Sequence, residues 1–202
     1  IAIFGGGQIY STVVEAVASR ADAARLCVTW AIGLQAAKRR VEGADRFQAR
    51  MSLIGCRDAG IPGTDYVPCA TCLIPGLAAP PPPTQPVVMY LHAGKSEDVQ
   101  RPEGLPTRTN HDGTLDEALA FIASGETVVT NSFHGTYWAM LMGRKVICLP
   151  FSHKFSGFAR MPLLADPTNW QGDLPRAHAV PGYREDCIAA NHAFRDKVMN
   201  LL

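Results

Sequence analysis

The densest set of chemistry-bearing residues is Asn131-Ser132-Phe133-His134-Gly135, a polar turn between the apolar Thr127-Val128-Val129-Thr130 and the run Thr136-Tyr137-Trp138-Ala139-Met140-Leu141. That pattern puts His134 in the first turn of a helix. Unbonded N–H groups and the positive end of the helix dipole favour an anion there, and an imidazole that titrates near neutrality can donate a proton. His134 is therefore a candidate general acid, weighed against a purely structural histidine. Asn131 and Ser132 are residue types that cap helices. Pro150-Phe151-Ser152-His153-Lys154-Phe155 follows the next apolar run and adds a mobile cation in Lys154, unless His153 and Lys154 are only solvated loop residues. Tyr90-Leu91-His92-Ala93-Gly94-Lys95 offers His92 and Lys95 after another such run.

Earlier in the chain, Gly55-Cys56-Arg57-Asp58 places an arginine where it can grip a carboxylate or phosphate with two donors, or simply pair with Asp58. Gly5-Gly6-Gly7 follows the opening apolar run, where glycines let backbone N–H groups approach an anion or make a plain tight turn. The spacing is not that of a dinucleotide-binding fingerprint. Cys69-x-x-Cys72 lacks the second pair that tetrahedral zinc requires, and Pro68 and Pro75 set it in a loop, so packing is the expected role. The acidic residues are scattered and the histidines far apart in sequence, so no metal is expected.

The elements that must position these residues alternate. Ile1–Phe4, Leu26–Trp30 and Met51–Gly55 read as strands, with helix-like stretches at Ser11–Ser19 and about Leu34–Phe47. Pro80-Pro81-Pro82-Pro83, extended to Pro86, favours a stiff polyproline spacer. Beyond it come a strand at Pro86–Leu91, a helix at Thr114–Ser124 opened by Thr114 with Glu117 three residues on, and a strand at Thr127–Thr130. A helix at His134–Leu141 closed by Gly143, a strand at Lys145–Leu149 and a final helix at Arg184–Leu202 complete the chain. The expected organisation is thus α/β: a first Rossmann-like lobe over 1–79, a linker over 80–86 and a second lobe over 87–202, each with a parallel sheet. Ligands of such sheets bind at the carboxyl ends of the strands, here in a cleft between the lobes.

Composition narrows the function classes. The 202 residues are 47% apolar and 18% charged, which specifies a folded globular protein. With 19 Lys plus Arg against 18 Asp plus Glu, no whole-protein field draws in nucleic acid. Apolar runs are broken well short of the roughly 20 residues a transmembrane helix needs. Because position 1 is Ile inside a strand-like run, the expectation is that the chain starts within a longer protein. Cys27, Cys56 and Cys148, within or beside apolar runs, fit a reducing cytosol.

The run Asn131-Ser132-Phe133-His134-Gly135, the apolar helix, Gly143-Arg144-Lys145-Val146-Ile147-Cys148-Leu149-Pro150 and then Lys154-Phe155 resembles the signature of the polysaccharide pyruvyl transferase family. Gly5–Gly7, Trp30-Ala31-Ile32-Gly33 and Arg57-Asp58 look like that family's first-lobe landmarks in the same order. The resemblance implies a fold similar to the two-lobed GT-B glycosyltransferases. It implies transfer of pyruvate from phosphoenolpyruvate to sugar hydroxyls, as a ketal, on a bacterial surface polysaccharide or exopolysaccharide unit. His134 would be the catalytic acid and Asp58 a base toward the acceptor. Arg57, Ser132, Phe133, Gly135 and Lys154 would hold the donor, and Gly5, Gly6, Gly7, His92, Lys95 and Asn131 would contact acceptor or anion. Phosphoenolpyruvate would be substrate and no cofactor would be used. The acceptor would be a sugar or lipid-linked oligosaccharide, and the protein cytoplasmic, associating peripherally with the inner face of the cell membrane. Family members often carry Arg two residues before the histidine, where this chain has Ser132.

Two other readings compete. A glycosyltransferase of similar architecture would set a nucleotide diphosphate against the His134 helix and use Lys154 on the leaving group, with Glu126 or Asp166 nearest to serving a ribose. A non-catalytic carbohydrate-binding relative would line a groove with aromatics such as Trp170 and Tyr183.

Overall fold

The computed structural model of the chain describes residues 1–8, 24–34 and 44–202. The helix expected over Ser11–Ser19 and most of that expected over Leu34–Phe47 lie outside the described residues. The chain divides into two compact units, one formed by 1–71, 156–159 and 185–202, the other by 72–155 and 160–184. The sequence expectation put the boundary at the proline run. Instead Pro80–Pro83 belongs to the second unit, and Gln85 and Pro86 already form the start of a strand. The final helix, expected in the second lobe, packs from Glu185 onward within the first unit.

In the first unit β1 (Ala2–Gly5), β2 (Cys27–Ile32), β3 (Leu53–Cys56) and β4 (Asp65–Tyr66) form an all-parallel sheet in that order. A register shift in β2 between Thr29 and Ile32 coincides with Ala31 at φ 57°. The irregularity reverses the alternation of side chains. Val28 and Trp30 pack with Phe194 and Val198 on one face, whereas Ile32, two residues on, packs with Phe47 of helix α1 (Ala44–Arg50) on the other. The Trp30 indole donates to Asn191 Oδ1 at 2.8 Å, and Asn191 Nδ2 donates to the carbonyls of Cys187 and Pro68.

The second unit is a five-stranded parallel sheet. Its strands are β5 (Gln85–Leu91), β6 (Thr107–Thr109), β7 (Gly125–Thr130), β8 (Lys145–Cys148) and β9 (Leu163–Leu164), in the order β6-β5-β7-β8-β9. Strands β5, β7 and β8 end in unbroken buried runs because the sheet is covered on both faces, as parallel sheets require. Met89, Leu91, Val129, Ile147 and Leu149 pack with Val99 and Trp170 on one side. Trp170 is 1% exposed and donates its indole N–H to the Gln100 carbonyl, so it is a core residue. Tyr183 is likewise buried, edge-on to Tyr137. Helix α2 (Leu115–Ser124) opens with the expected capping box, Thr114 and Glu117 each satisfying the other's backbone N–H. Helix α3 (Phe133–Leu141) follows β7, and α4 (Tyr183–Met199) closes the chain.

This strand order sets the location of chemistry. The chain steps from β5 outward to β6, then returns across β5 to β7, so the direction of winding reverses between β5 and β7. Ligands of open parallel sheets bind beside such a reversal, at the carboxyl ends of the strands. Those ends are followed by His92 on β5 and Asn131 on β7.

Candidate functional site

Ser132 is the N-cap of α3, its Oγ accepting the Gly135 N–H at 3.3 Å, which makes His134 the second residue of the first turn. Thr136 Oγ1 donates to the Ser132 carbonyl at 3.0 Å, and the Ser132 N–H donates to Thr130 Oγ1 at 3.0 Å, so both sides of the cap are pinned. Gly135 is required by packing. A Cβ there would stand 2.5 Å from Thr130 Oγ1 and 2.7 Å from Tyr90 Cδ1. Its N–H is used by the cap, so Gly135, named from sequence as a donor contact, shapes the turn. The His134 ring is half-buried, stacked on Trp138 at 5.2 Å between centroids and edge-on to Phe133 at 5.8 Å.

Asn131 is 1% exposed and ties β7 to the loop after β5. Its Oδ1 accepts the His92 N–H at 2.7 Å, and its Nδ2 donates to the Lys95 carbonyl at 2.6 Å and to Ser96 Oγ at 3.1 Å. Its side chain is thus a brace whose oxygen and nitrogen both have internal partners, where the sequence expectation was a contact with acceptor or anion. Asn110, after β6, accepts the Ala93 N–H at 2.9 Å. Sequence reasoning missed Asn110, because β6 is three residues long at a sheet edge and has no legible periodicity.

The Lys154 ammonium lies 4.3 Å from the centroid of Phe151 and 5.0 Å from that of Phe155, a cation held on ring faces. Phe155 also packs against Phe133, and Phe151 is edge-on to His92 at 5.5 Å. An aromatic chain therefore runs from His134 through Phe133, Phe155 and Phe151 to His92. Gly94, Lys95, Glu97, Asp98, Phe151 and Ser152 line a cleft of about 460 Å³, within the range of roughly 300–1,000 Å³ usual for small-molecule sites. Burial first, then the charges of Lys154, His111 and Lys95, depress the pKa of His92 below its ordinary value, so its ring is neutral at pH 7. The cleft thus carries one ammonium group, Lys95, beside two acidic residues, Glu97 and Asp98, while Lys154 follows Phe151 and Ser152 on the next turn and His92 precedes Gly94 on the same loop.

The other sequence candidates lie in the first unit. Gly6 and Gly7 adopt φ of 70° and 73°, conformations that L side chains rarely adopt, and the Gly6 N–H is used by the Trp30 carbonyl. Arg57 is 8% exposed, its guanidinium lying over Gly33, where a Cβ would stand 3.0 Å from Nε and Nη2. Asp58 is 1% exposed and accepts the Leu34 N–H at 2.7 Å, and a Cβ on Gly157 would meet its Oδ1 at 2.5 Å. That carboxylate organises the ends of β2 and β3. Cys72 is fully buried and Cys69 accepts from the Thr71 hydroxyl at 3.3 Å. Among the described residues no three His, Cys, Asp or Glu side chains group to hold a metal, and no helix is long and apolar enough to cross a membrane.

No curated protein and no solved structure gives a match to the chain. One family model does match, over a little under half of the chain and across every second-unit residue just described except Lys154 and Phe155, which lie immediately beyond it: residues 66–153 match polysaccharide pyruvyl transferase, the family that the His134 signature resembles.

Proposed function

We propose that this chain transfers pyruvate from phosphoenolpyruvate to two hydroxyls of a sugar, forming a cyclic ketal on a bacterial polysaccharide or a lipid-linked precursor of one. The observation that carries the reading is His134 in the first turn of a capped helix, inside the stretch matched by the family. The donor has a phosphate and a carboxylate, which need cations and N–H groups fixed in advance. Its methylene carbon must gain a proton. In this reading His134 delivers that proton, one acceptor oxygen bonds to C2 as its hydroxyl proton restores His134, and the second oxygen displaces phosphate, which leaves with the remaining hydroxyl proton. Lys154 and Lys95 neutralise anionic oxygens, while Arg57 and Asp58 belong to the first unit, where Asp58 keeps its strand ends in place. Phosphoenolpyruvate is a substrate here, and the acceptor is met on the cytoplasmic side of the membrane.

The test is calorimetric titration of the parent and His134→Ala chains with phosphoenolpyruvate and with a panel of nucleotide sugars, followed by phosphate release over a panel of sugar acceptors. Binding of phosphoenolpyruvate, with turnover lost in His134→Ala, is expected. Binding of a nucleotide sugar in its place would overturn the reading in favour of glycosyl transfer, and full turnover by His134→Ala would remove the histidine from the mechanism.

A further inference from the structure

The loop after β5 is held more tightly than a solvent-facing connection needs. The His92 N–H goes to Asn131 Oδ1, the His92 carbonyl accepts from Ser96 Oγ, and the Ala93 N–H goes to Asn110 Oδ1. The Gly94 N–H, the next along the chain, donates to His92 Nδ1 at 3.2 Å. A ring nitrogen that accepts from an amide carries no proton, so the neutral imidazole has its hydrogen on Nε2. Among the described residues no group accepts from that nitrogen. Every polar atom of His92 but one therefore has an internal partner, and the exception is a donor on a loop flanking the cleft lined by Lys95 and Phe151.

We propose that His92 contacts the donor, its Nε2–H donating to an anionic oxygen, phosphate or carboxylate, of the ligand in the crevice between β5 and β7. The charged and titratable groups facing it are Lys95 on its own loop, Lys154 from the turn after β8 and His111 from the turn after β6. All three disfavour a second proton on the ring, so His92 works as a neutral donor of fixed direction, beside cations that supply the charge. The division of labour differs from that of His134, which in the proposed reaction gives its proton away. The proposal rests on the pyruvyl-transfer reading for the identity of the donor, and on the geometry of the loop alone for the role of the nitrogen.

Two substitutions separate this role from a structural one. Glutamine places an amide N–H near the position of Nε2, whereas asparagine reaches only as far as Nδ1 and can keep the bond from Gly94. His92→Gln should hold phosphoenolpyruvate within about threefold of the parent. His92→Asn should bind at least about tenfold more weakly, the loss expected for one charge-assisted hydrogen bond. The reverse order, or two variants indistinguishable from the parent, would overturn the proposal and leave His92 as a loop staple. If the parent itself fails to bind phosphoenolpyruvate, that failure belongs to the pyruvyl-transfer reading. His92 is then judged by nitrogen NMR of the histidine-labelled full chain titrated with inorganic phosphate. A protonated Nε2 in the free protein that shifts on titration supports the proposal, and a protonated Nδ1 or an unmoved Nε2 signal refutes it.

Discussion

Replacing Asn131 by Ala removes the brace between β7 and the loop after β5, and the cost can be worked from its bonds. Three partners are lost at 2.6 to 3.1 Å: the His92 N–H, the Lys95 carbonyl and Ser96 Oγ. At about 1 kcal/mol net for each bond the direct loss is about 3 kcal/mol. Stranding the half-buried His92 N–H adds to this, while the exposed Lys95 lets water reach its carbonyl and limits the addition. The loss is local, so native-state amide exchange is the right assay. At 1.4 kcal/mol per tenfold, exchange at His92 should accelerate by roughly a hundredfold. For a chain of this size the melting temperature should fall by roughly 6–12 °C. Asn131→Asp keeps an oxygen for the His92 N–H but sets a carboxylate oxygen against the Lys95 carbonyl, so it should rescue little. Unchanged protection at His92 with a melting temperature within about 2 °C of the parent would refute the assignment of Asn131 as the element that positions the loop.

Other perturbations test other parts of the fold. Gly135→Ala gains a little helix propensity but drives a methyl into Thr130 Oγ1 and Tyr90. It should destabilise by about 1–2 kcal/mol by urea unfolding and weaken donor binding by displacing the first turn of α3. Gly55→Ala, whose Cβ would lie 2.7 Å from the Thr29 carbonyl and 2.9 Å from the Phe194 ring, should cost roughly 1–3 kcal/mol and loosen α4 from the first sheet. Burial pushes the Cys56 thiol up to about 11 and the Cys148 thiol up to about 12 from an ordinary 9.0. Both raised values favour the protonated thiol in the folded state, so their contribution to stability is complete below pH 9 and is lost as pH rises through 11 to 12. Folded protein at pH 8 should accordingly label with a thiol reagent at Cys69 and leave Cys56 and Cys148 unmodified until it unfolds. Fast labelling of either buried thiol would contradict the packing.

The second unit was the more legible half, and particular residues say why. Thr114 with Glu117, and Ser132 ahead of an apolar run, are local signals whose meaning does not depend on the rest of the chain, and both helices start where those residues put them. The edge strands β4, β6 and β9 were not legible because two or three residues cannot display a period. The irregularity at Ala31 escaped for a different reason. Nothing in Trp30-Ala31-Ile32 announces a left-handed alanine, which is stabilised by the separate burial of Trp30 and Ile32 on opposite faces. The proline run reads as a boundary because proline breaks ladders, but which residues pack together is settled by distant contacts, and these extend the second unit back to Cys72.

The same distinction bears on Ser132. A charged side chain at that position would bring a cation straight to the mouth of α3, but it would forgo the bond from the Gly135 N–H that a serine oxygen makes. With serine there, the cations must come from loops at the ends of neighbouring strands. Lys95 after β5 and Lys154 after β8 flank the strand that leads into α3, and His92 stands on the Lys95 loop. In the pyruvyl-transfer reading, an anion bound in this crevice would be gripped from both sides of the helix mouth, and its affinity would depend on the loop after β5 being held by Asn131 and Asn110. Double substitution provides the check. Lys95→Ala and Asn131→Ala should each weaken phosphoenolpyruvate binding, and together they should cost less than the sum of the two, because a loop already loosened has little left to lose from its lysine. Strict additivity would mean that brace and cation act independently, with no coupling between them.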